Sequence, residues 1–190
     1  MPQPDHISAL PLGDAASLDD DCRAAYAKCM EKLGFVPNVL QAYSLRPQKL
    51  HNFMAMYNEL MLGPSGLSKL EREMVAVVVS SANRCYYCLV AHGQAVRKLS
   101  GDAELGEMMV MNYRVAKLDR RQRAMLDFAW KLTATPHDVG EGDRAALRHV
   151  GLSNNDIFDL ADTIAFFNLS NRMAYGVDMM PNREYHRLDR

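Results

Sequence analysis

Two thiols and an imidazole fall close together in the stretch SSANRCYYCLVAHG, residues 80–93. Cys85 and Cys88 are separated by two tyrosines, and His92 follows four positions after the second cysteine. Groups of these types at this spacing can cycle between dithiol and disulfide, contribute to a metal site, or simply pack. On a helix, residues three and four apart stack on one face, so all three side chains point the same way. Asn83 reads as an N-cap that starts a helix at Arg84, with Cys85 in the first turn. Free N–H groups and the helix dipole there stabilise a thiolate. A Cys-x-x-Cys pair at a helix start can also close into a disulfide, as a redox catalyst requires. Position favours Cys85 as the more acidic thiol; proximity to His92 favours Cys88.

The competing readings need other surroundings. Zinc wants four ligands, usually from two ligand pairs, and no second Cys-x-x-Cys or His-x-x-x-His exists in the chain. A site completed by a distant His51, His137 or His149 is the remaining metal arrangement. A thioredoxin-type centre would need a strand before the motif, and none is signalled. Cys22 and Cys29 lie seven residues apart, two helical turns, which is too far for a bridge, and read as packing residues. No metal and no cofactor are expected: there is no GxGxxG, and GLSKLE is a helix cap rather than a phosphate loop.

The elements that must position the motif are helical. Ser17 precedes LDDDCRAAYAKCMEKL, and Gly34 stops it. Pro47 opens PQKLHNFMAMYNELML as a first-turn proline, and Gly63-Pro64 closes it. Ser68 with Glu71, Asp119 with Gln122 and Ser153 with Asp156 form capping-box patterns, and Asp102 opens a further helix. The β-branched run Val77-Val78-Val79 follows a capped start and reads as part of a fully buried helix. Aligning residue 67 with residue 152 pairs Leu67 with Leu152, Ser68 with Ser153, Ala76 with Ala161 and Asn83 with Asn168. The expectation is one all-α domain over residues 1–190, with a redox hairpin near 67–100 and a degenerate copy near 152–180. In that copy Ser170 and Met173 stand where the first has Cys85 and Cys88.

Bulk properties narrow the partners. A net charge of −1 over 190 residues gives no electrostatic reason to expect nucleic acid or an anionic membrane. The start MPQPDHISALPLGDAA lacks a signal-peptide pattern, and MVAVVVSSA is too short to span a bilayer, so a cytoplasmic protein is expected.

With these residues in hand, the chain resembles the AhpD-like, or carboxymuconolactone decarboxylase-like, superfamily, in its peroxidase-related branch. The resemblance rests on LEREMVAVVVSSANRCYYCLVAHG (70–93), a pattern of Glu, eleven residues, Cys-x-x-Cys, three residues, His, with GFVPNVLQAYSLRP (34–47) in support. It implies an AhpD-like helical bundle and a thiol-dependent peroxidase acting on organic hydroperoxides or hydrogen peroxide. Cys88 would attack the peroxide, Cys85 would resolve, and His92 with Glu73 would relay protons. A dithiol donor, in such systems a lipoyl-bearing protein, would regenerate the thiols. Relatives assemble as dimers, trimers or hexamers, and thirteen methionines suit core or subunit packing. The alternative from another class is a thiol–disulfide switch or exchange protein using the same cysteines; lactone-decarboxylating relatives lack the Cys-x-x-Cys pair.

Two features of the resemblance have structural consequences. On one continuous helix Glu73 would lie off the cysteine face, so the site requires a break near Ser80–Asn83. Glu71 is already explained by its capping box. Tyr87 stands where AhpD itself has a second histidine; it either packs or joins the relay by hydrogen bonding.

Overall fold

In a computed structural model that describes residues 3–190, every regular element is helical. The helices are α1 (Asp20–Leu33), α2 (Asn38–Tyr43), α3 (Pro47–Leu62), α4 (Lys69–Ala82), α5 (Tyr86–Ser100), α6 (Ala103–Asn112), α7 (Arg120–Ala134), α8 (Glu141–His149) and α9 (Asn154–Gly176). Short 3-10 turns join some of them, and a last one, Arg183–His186, packs on α5. No helix among the described residues is long and apolar enough to cross a membrane.

The capping chemistry explains most boundaries. Ser68, Asp119 and Ser153 each accept the amide of the third helical residue, while Glu71, Gln122 and Asp156 reach back, completing three capping boxes. Pro47 occupies the first turn of α3, and Gly34 ends α1 in the left-handed region at φ 79°. The start of α1 differs from the sequence expectation. Asp19, not Ser17, is the cap, because its carboxylate accepts the Cys22 amide at 2.9 Å; Ser17 ends a separate 3-10 turn. Helices α2 and α8 carried no clear start signal. Gly140 has no side chain to cap α8, and Asp143 instead accepts the Gly140 amide and the Lys131 ammonium, all at 2.8 Å.

α4 forms the centre, packed by α5, α6, α7 and α9. Every residue from Arg72 to Ser80 is buried, so the Val77–Val79 run is the middle of an enclosed helix, as its capped start implied. Three of these residues are polar, Arg72, Glu73 and Ser80; the Arg72 guanidinium donates to the carbonyls of Leu60, Gly63 and Leu67, closing the α3–α4 corner. α9 begins 85 residues after α4 in the same type of box, but runs unbroken through the positions where the first segment turns.

Aromatic packing joins α2 and α3 to α9: Tyr43 stacks on Phe53 at 4.5 Å, Phe53 meets Phe166 at 5.4 Å, and Phe166 meets Phe167 edge-on at 5.4 Å. Phe166 is 2% exposed. Truncation of such a ring loses its transfer energy and leaves a cavity, so Phe166→Ala should destabilise the fold by about 3–5 kcal/mol in denaturant unfolding. A cost below about 1 kcal/mol would show that the α9 aromatic layer packs loosely.

Candidate active site

The turn between α4 and α5 builds the site. The Cys85 amide donates to the Ser80 carbonyl at 2.9 Å and the Asn83 amide to the Val79 carbonyl at 3.0 Å, closing α4 while Arg84 takes a left-handed φ of 56°. Such a conformation is uncommon for a residue other than glycine and costs about 1–2 kcal/mol. It is held from α9: the Tyr175 hydroxyl lies 2.5 Å from the Arg84 carbonyl. The Asn83 side chain donates to Asn168 at 3.0 Å and Asn171 at 2.9 Å. This corrects the expected cap. Asn83 closes α4 with its side chain committed to α9, and Cys85 is itself the N-cap of α5. The break expected near Ser80–Asn83 therefore exists, centred on Asn83–Cys85.

That turn folds α5 back along α4 and brings Glu73 to His92. The Glu73 Oε2 lies 2.6 Å from the imidazole Nδ1, with side chains 11% and 13% exposed. A carboxylate buried this far needs such a partner, because desolvation without one is costly. The Phe167 ring stands edge-on to the His92 imidazole at 4.7 Å and packs against it. Glu71, as expected, is spent elsewhere: it accepts the Ser68 amide and the Arg121 guanidinium.

Both cysteines are free thiols, 2% and 1% exposed, in a small apolar cluster with Tyr87, Ala174, Val177 and Met179. The hydrogen bond from Cys88 to Cys85 is the main influence on both. It brings Cys85 down to about 7 against the pull of burial, aided by the Cys88 and Tyr87 amides and the charge of His92. The same bond, with burial, pushes Cys88 well above the ordinary thiol range. Of the two sulfurs Cys85 is therefore the one that ionises first, near neutral pH. Ser170 and Asn171 face Cys88 and favour its thiolate, and Cys85 also approaches the Asn171 carbonyl at 4.0 Å.

A titration follows from this. Thiolate absorbance should rise with a midpoint near pH 7 for Cys85, and Cys88→Ala should move that midpoint up by removing the donor. A midpoint unchanged by the substitution would remove the sulfur–sulfur hydrogen bond from the account.

Tyr87 lies in the same buried cluster as the two cysteines. Its hydroxyl accepts the Val39 amide at 2.9 Å, at the start of α2, and burial holds the phenol well above its ordinary value. Spacing did not single out Asn171, which is fully buried and donates to Ser80 while accepting from Asn83. Its only trace was proximity to Asn168 and Ser170 in the internal alignment. His137 and His149 do not join the thiols in any three-ligand cluster among the described residues, and His51 lies beside Asp19 instead.

Comparison with known proteins places the chain in a family. The family model described as carboxymuconolactone decarboxylase family matches residues 47–111, which include Glu73, both cysteines and His92. An uncharacterized peroxidase-related protein from Silicibacter sp. TM1040 is 57% identical, with full coverage of both chains and a TM-score of 0.95. A second, from Ralstonia eutropha JMP134 and described as an alkylhydroperoxidase AhpD core, is 42% identical over 98% of each chain, with a TM-score of 0.94. The debrominase Bmp8, solved with 2,3,4-tribromopyrrole, is 15% identical over 95% of this chain and 94% of its own; at a TM-score of 0.78 it shares the fold alone. No curated protein sequence matches the chain. An all-helical fold, a Glu–Cys–Cys–His constellation and extended identity to two peroxidase-related proteins converge on one assignment: the chain belongs to the carboxymuconolactone decarboxylase family, in its AhpD-like, peroxidase-related branch.

Proposed function

We propose that the protein is a thiol-dependent peroxidase that reduces organic hydroperoxides, or hydrogen peroxide, through Cys85 and Cys88. The observation that carries this reading is the juxtaposition of a buried pair of free thiols at the start of α5 with the buried pair that His92, on the same helix, makes with Glu73. The cysteines supply two electrons and the imidazole supplies a proton. Nothing else in the reaction calls for a cofactor.

Cys88 attacks and Cys85 resolves. The resting charge lies on Cys85, but a proton shared between hydrogen-bonded sulfurs moves faster than a peroxide bond breaks. The attacker is then set by which sulfur has the better transition state. Cys88 lies one helical turn from His92 on the same face, and Ser170 and Asn171 favour its thiolate. Its sulfur takes the terminal oxygen of the hydroperoxide, giving a sulfenic acid and an alkoxide. His92, its positive charge balanced by Glu73, protonates the alkoxide to the alcohol. Cys85 then attacks the Cys88 sulfur, hydroxide leaves as water with the thiol proton, and a disulfide remains. A dithiol donor returns two electrons and two protons.

Burial supports a small substrate and a slender donor. Sulfurs only 1–2% exposed do not present a face to another folded protein, whereas a lipoyl-type arm can reach them after a modest opening. The apolar walls given by Val177, Met179 and Ala174 suit an alkyl hydroperoxide. Exposed Phe158 and Leu169 fall on one side of α9 and give a homo-oligomer an apolar patch to cover. The reducing cytoplasm is the compartment in which the thiols would be recycled.

Steady-state assays with dihydrolipoamide as donor test the reading. Hydroperoxide should be consumed catalytically, one molecule per dithiol oxidised. If hydroperoxide persists while the protein exchanges disulfides with partner proteins, the enzyme reading fails and the thiol switch replaces it.

A further inference from the structure

A second cluster of chemically capable side chains lies away from the dithiol. Asp19 caps α1, Cys22 lies one turn along the same helix, and His51 comes from α3. One donor atom of each lies within 4.8 Å of the other two, and this is the one such three-ligand group found among the described residues. Asp19 Oδ2 is 2.5 Å from His51 Nε2, and the other carboxylate oxygen accepts the Cys22 amide at 2.9 Å. We propose that Asp19, Cys22 and His51 bind a late first-row divalent cation, zinc foremost, clipping α1 to α3.

Three arguments carry the assignment. The donor set of one sulfur, one nitrogen and one oxygen suits zinc, which accepts three protein ligands with a fourth position left to water. Charge balances: a thiolate and a carboxylate neutralise a divalent cation in a half-buried place. The outer contacts are also in position: the Cys22 amide fixes the carboxylate through one oxygen, while the other is paired with His51 Nε2, a contact that a bound cation would replace with bonds to both atoms.

Access exists from one side. The His51 and Asp19 side chains are 29% and 51% exposed, whereas Cys22 is fully buried against Leu18 and Leu50. The cation therefore enters past the carboxylate and imidazole and meets the sulfur last. Binding forms metal–sulfur, metal–nitrogen and metal–oxygen bonds, releases the thiol proton to solvent and leaves the imidazole proton on the other ring nitrogen. Nothing is oxidised or reduced.

Cobalt(II) added alone to the metal-free full-length chain is the probe, because tetrahedral cobalt–thiolate sites give a ligand-to-metal absorption band. The measurement is made in the Cys85→Ser/Cys88→Ser background, so that the dithiol contributes nothing. One equivalent should produce the band, zinc should abolish it, and zinc should raise the melting temperature. His51→Gln keeps a hydrogen-bond donor toward Asp19 at a half-exposed position that tolerates change, and should lose both the band and the zinc-induced rise. Cys22→Ala should lose the band with its helical circular dichroism retained. Absence of the band in this background, or its persistence in either variant, would overturn the proposal and leave Asp19–His51 as an ordinary ion pair.

Discussion

Replacing Cys88 with serine is expected to abolish hydroperoxide reduction, lowering the rate by at least about 10³-fold, the scale on which loss of an attacking group is felt. Cys85→Ser should behave differently. Attack by Cys88 survives, but the sulfenic acid finds no resolving thiol, so the protein reacts once and stops. A 1,3-dione trap should then label Cys88, visible as an adduct on its peptide. The two variants separate the order of attack from the location of the resting charge. Cys85 holds that charge because Cys88 donates a hydrogen bond to it and the α5 amides face it. If the trap labels Cys85 in the Cys88→Ser protein and leaves Cys85→Ser unlabelled, the resting thiolate is also the nucleophile and the proposed order is reversed.

The second large effect concerns the buried pair. Glu73 Oε2 and His92 Nδ1 are 2.6 Å apart, and each is shielded from solvent. Removing the imidazole with His92→Ala should slow hydroperoxide cleavage by about 10²–10⁴-fold, the usual worth of a positioned acid–base group. Glu73→Gln retains the shape but not the charge that balances a protonated imidazole. It should lower the rate in the same direction, because a proton passing through the imidazole is then no longer balanced by the carboxylate at 2.6 Å. An unchanged rate in Glu73→Gln, with only stability reduced, would make the carboxylate a structural partner. Each variant should be checked for folding, since losing one member of a buried ion pair destabilises by about 3–5 kcal/mol.

Much of this was legible because it is local. Capping boxes at Ser68, Asp119 and Ser153 depend on residues three apart, and each formed as its spacing implied. The shared face of Cys85, Cys88 and His92 is likewise a matter of helical repeat. The pairing of Glu73 with His92 was accessible only through the Glu–Cys–Cys–His pattern and the need for a break between them. The position of that break was missed by a residue or two. Asn83 is a good cap in isolation, but two asparagines on α9 claim its side chain, and no local signal in residues 80–93 announces them. Tyr87 was ambiguous for the same reason: its partner is the Val39 amide, 48 positions away. Cys22 read as a packing residue, and it is buried with Leu18 and Leu50; its proximity to His51 could not be read from local spacing, because it arises only where α3 lies against α1. Short α2 and α8 lacked strong caps and take their stability from tertiary packing, which sequence periodicity does not report.

The central claim is tested most directly by a single turnover. The fully reduced, metal-free protein is mixed with one equivalent of an organic hydroperoxide, quenched at intervals by rapid alkylation, and its peptides are weighed. The account predicts that the Cys85 and Cys88 thiols disappear together within seconds, that one bond joins them, and that one alcohol appears per disulfide. Thiols that survive for minutes beside unreacted hydroperoxide would contradict it.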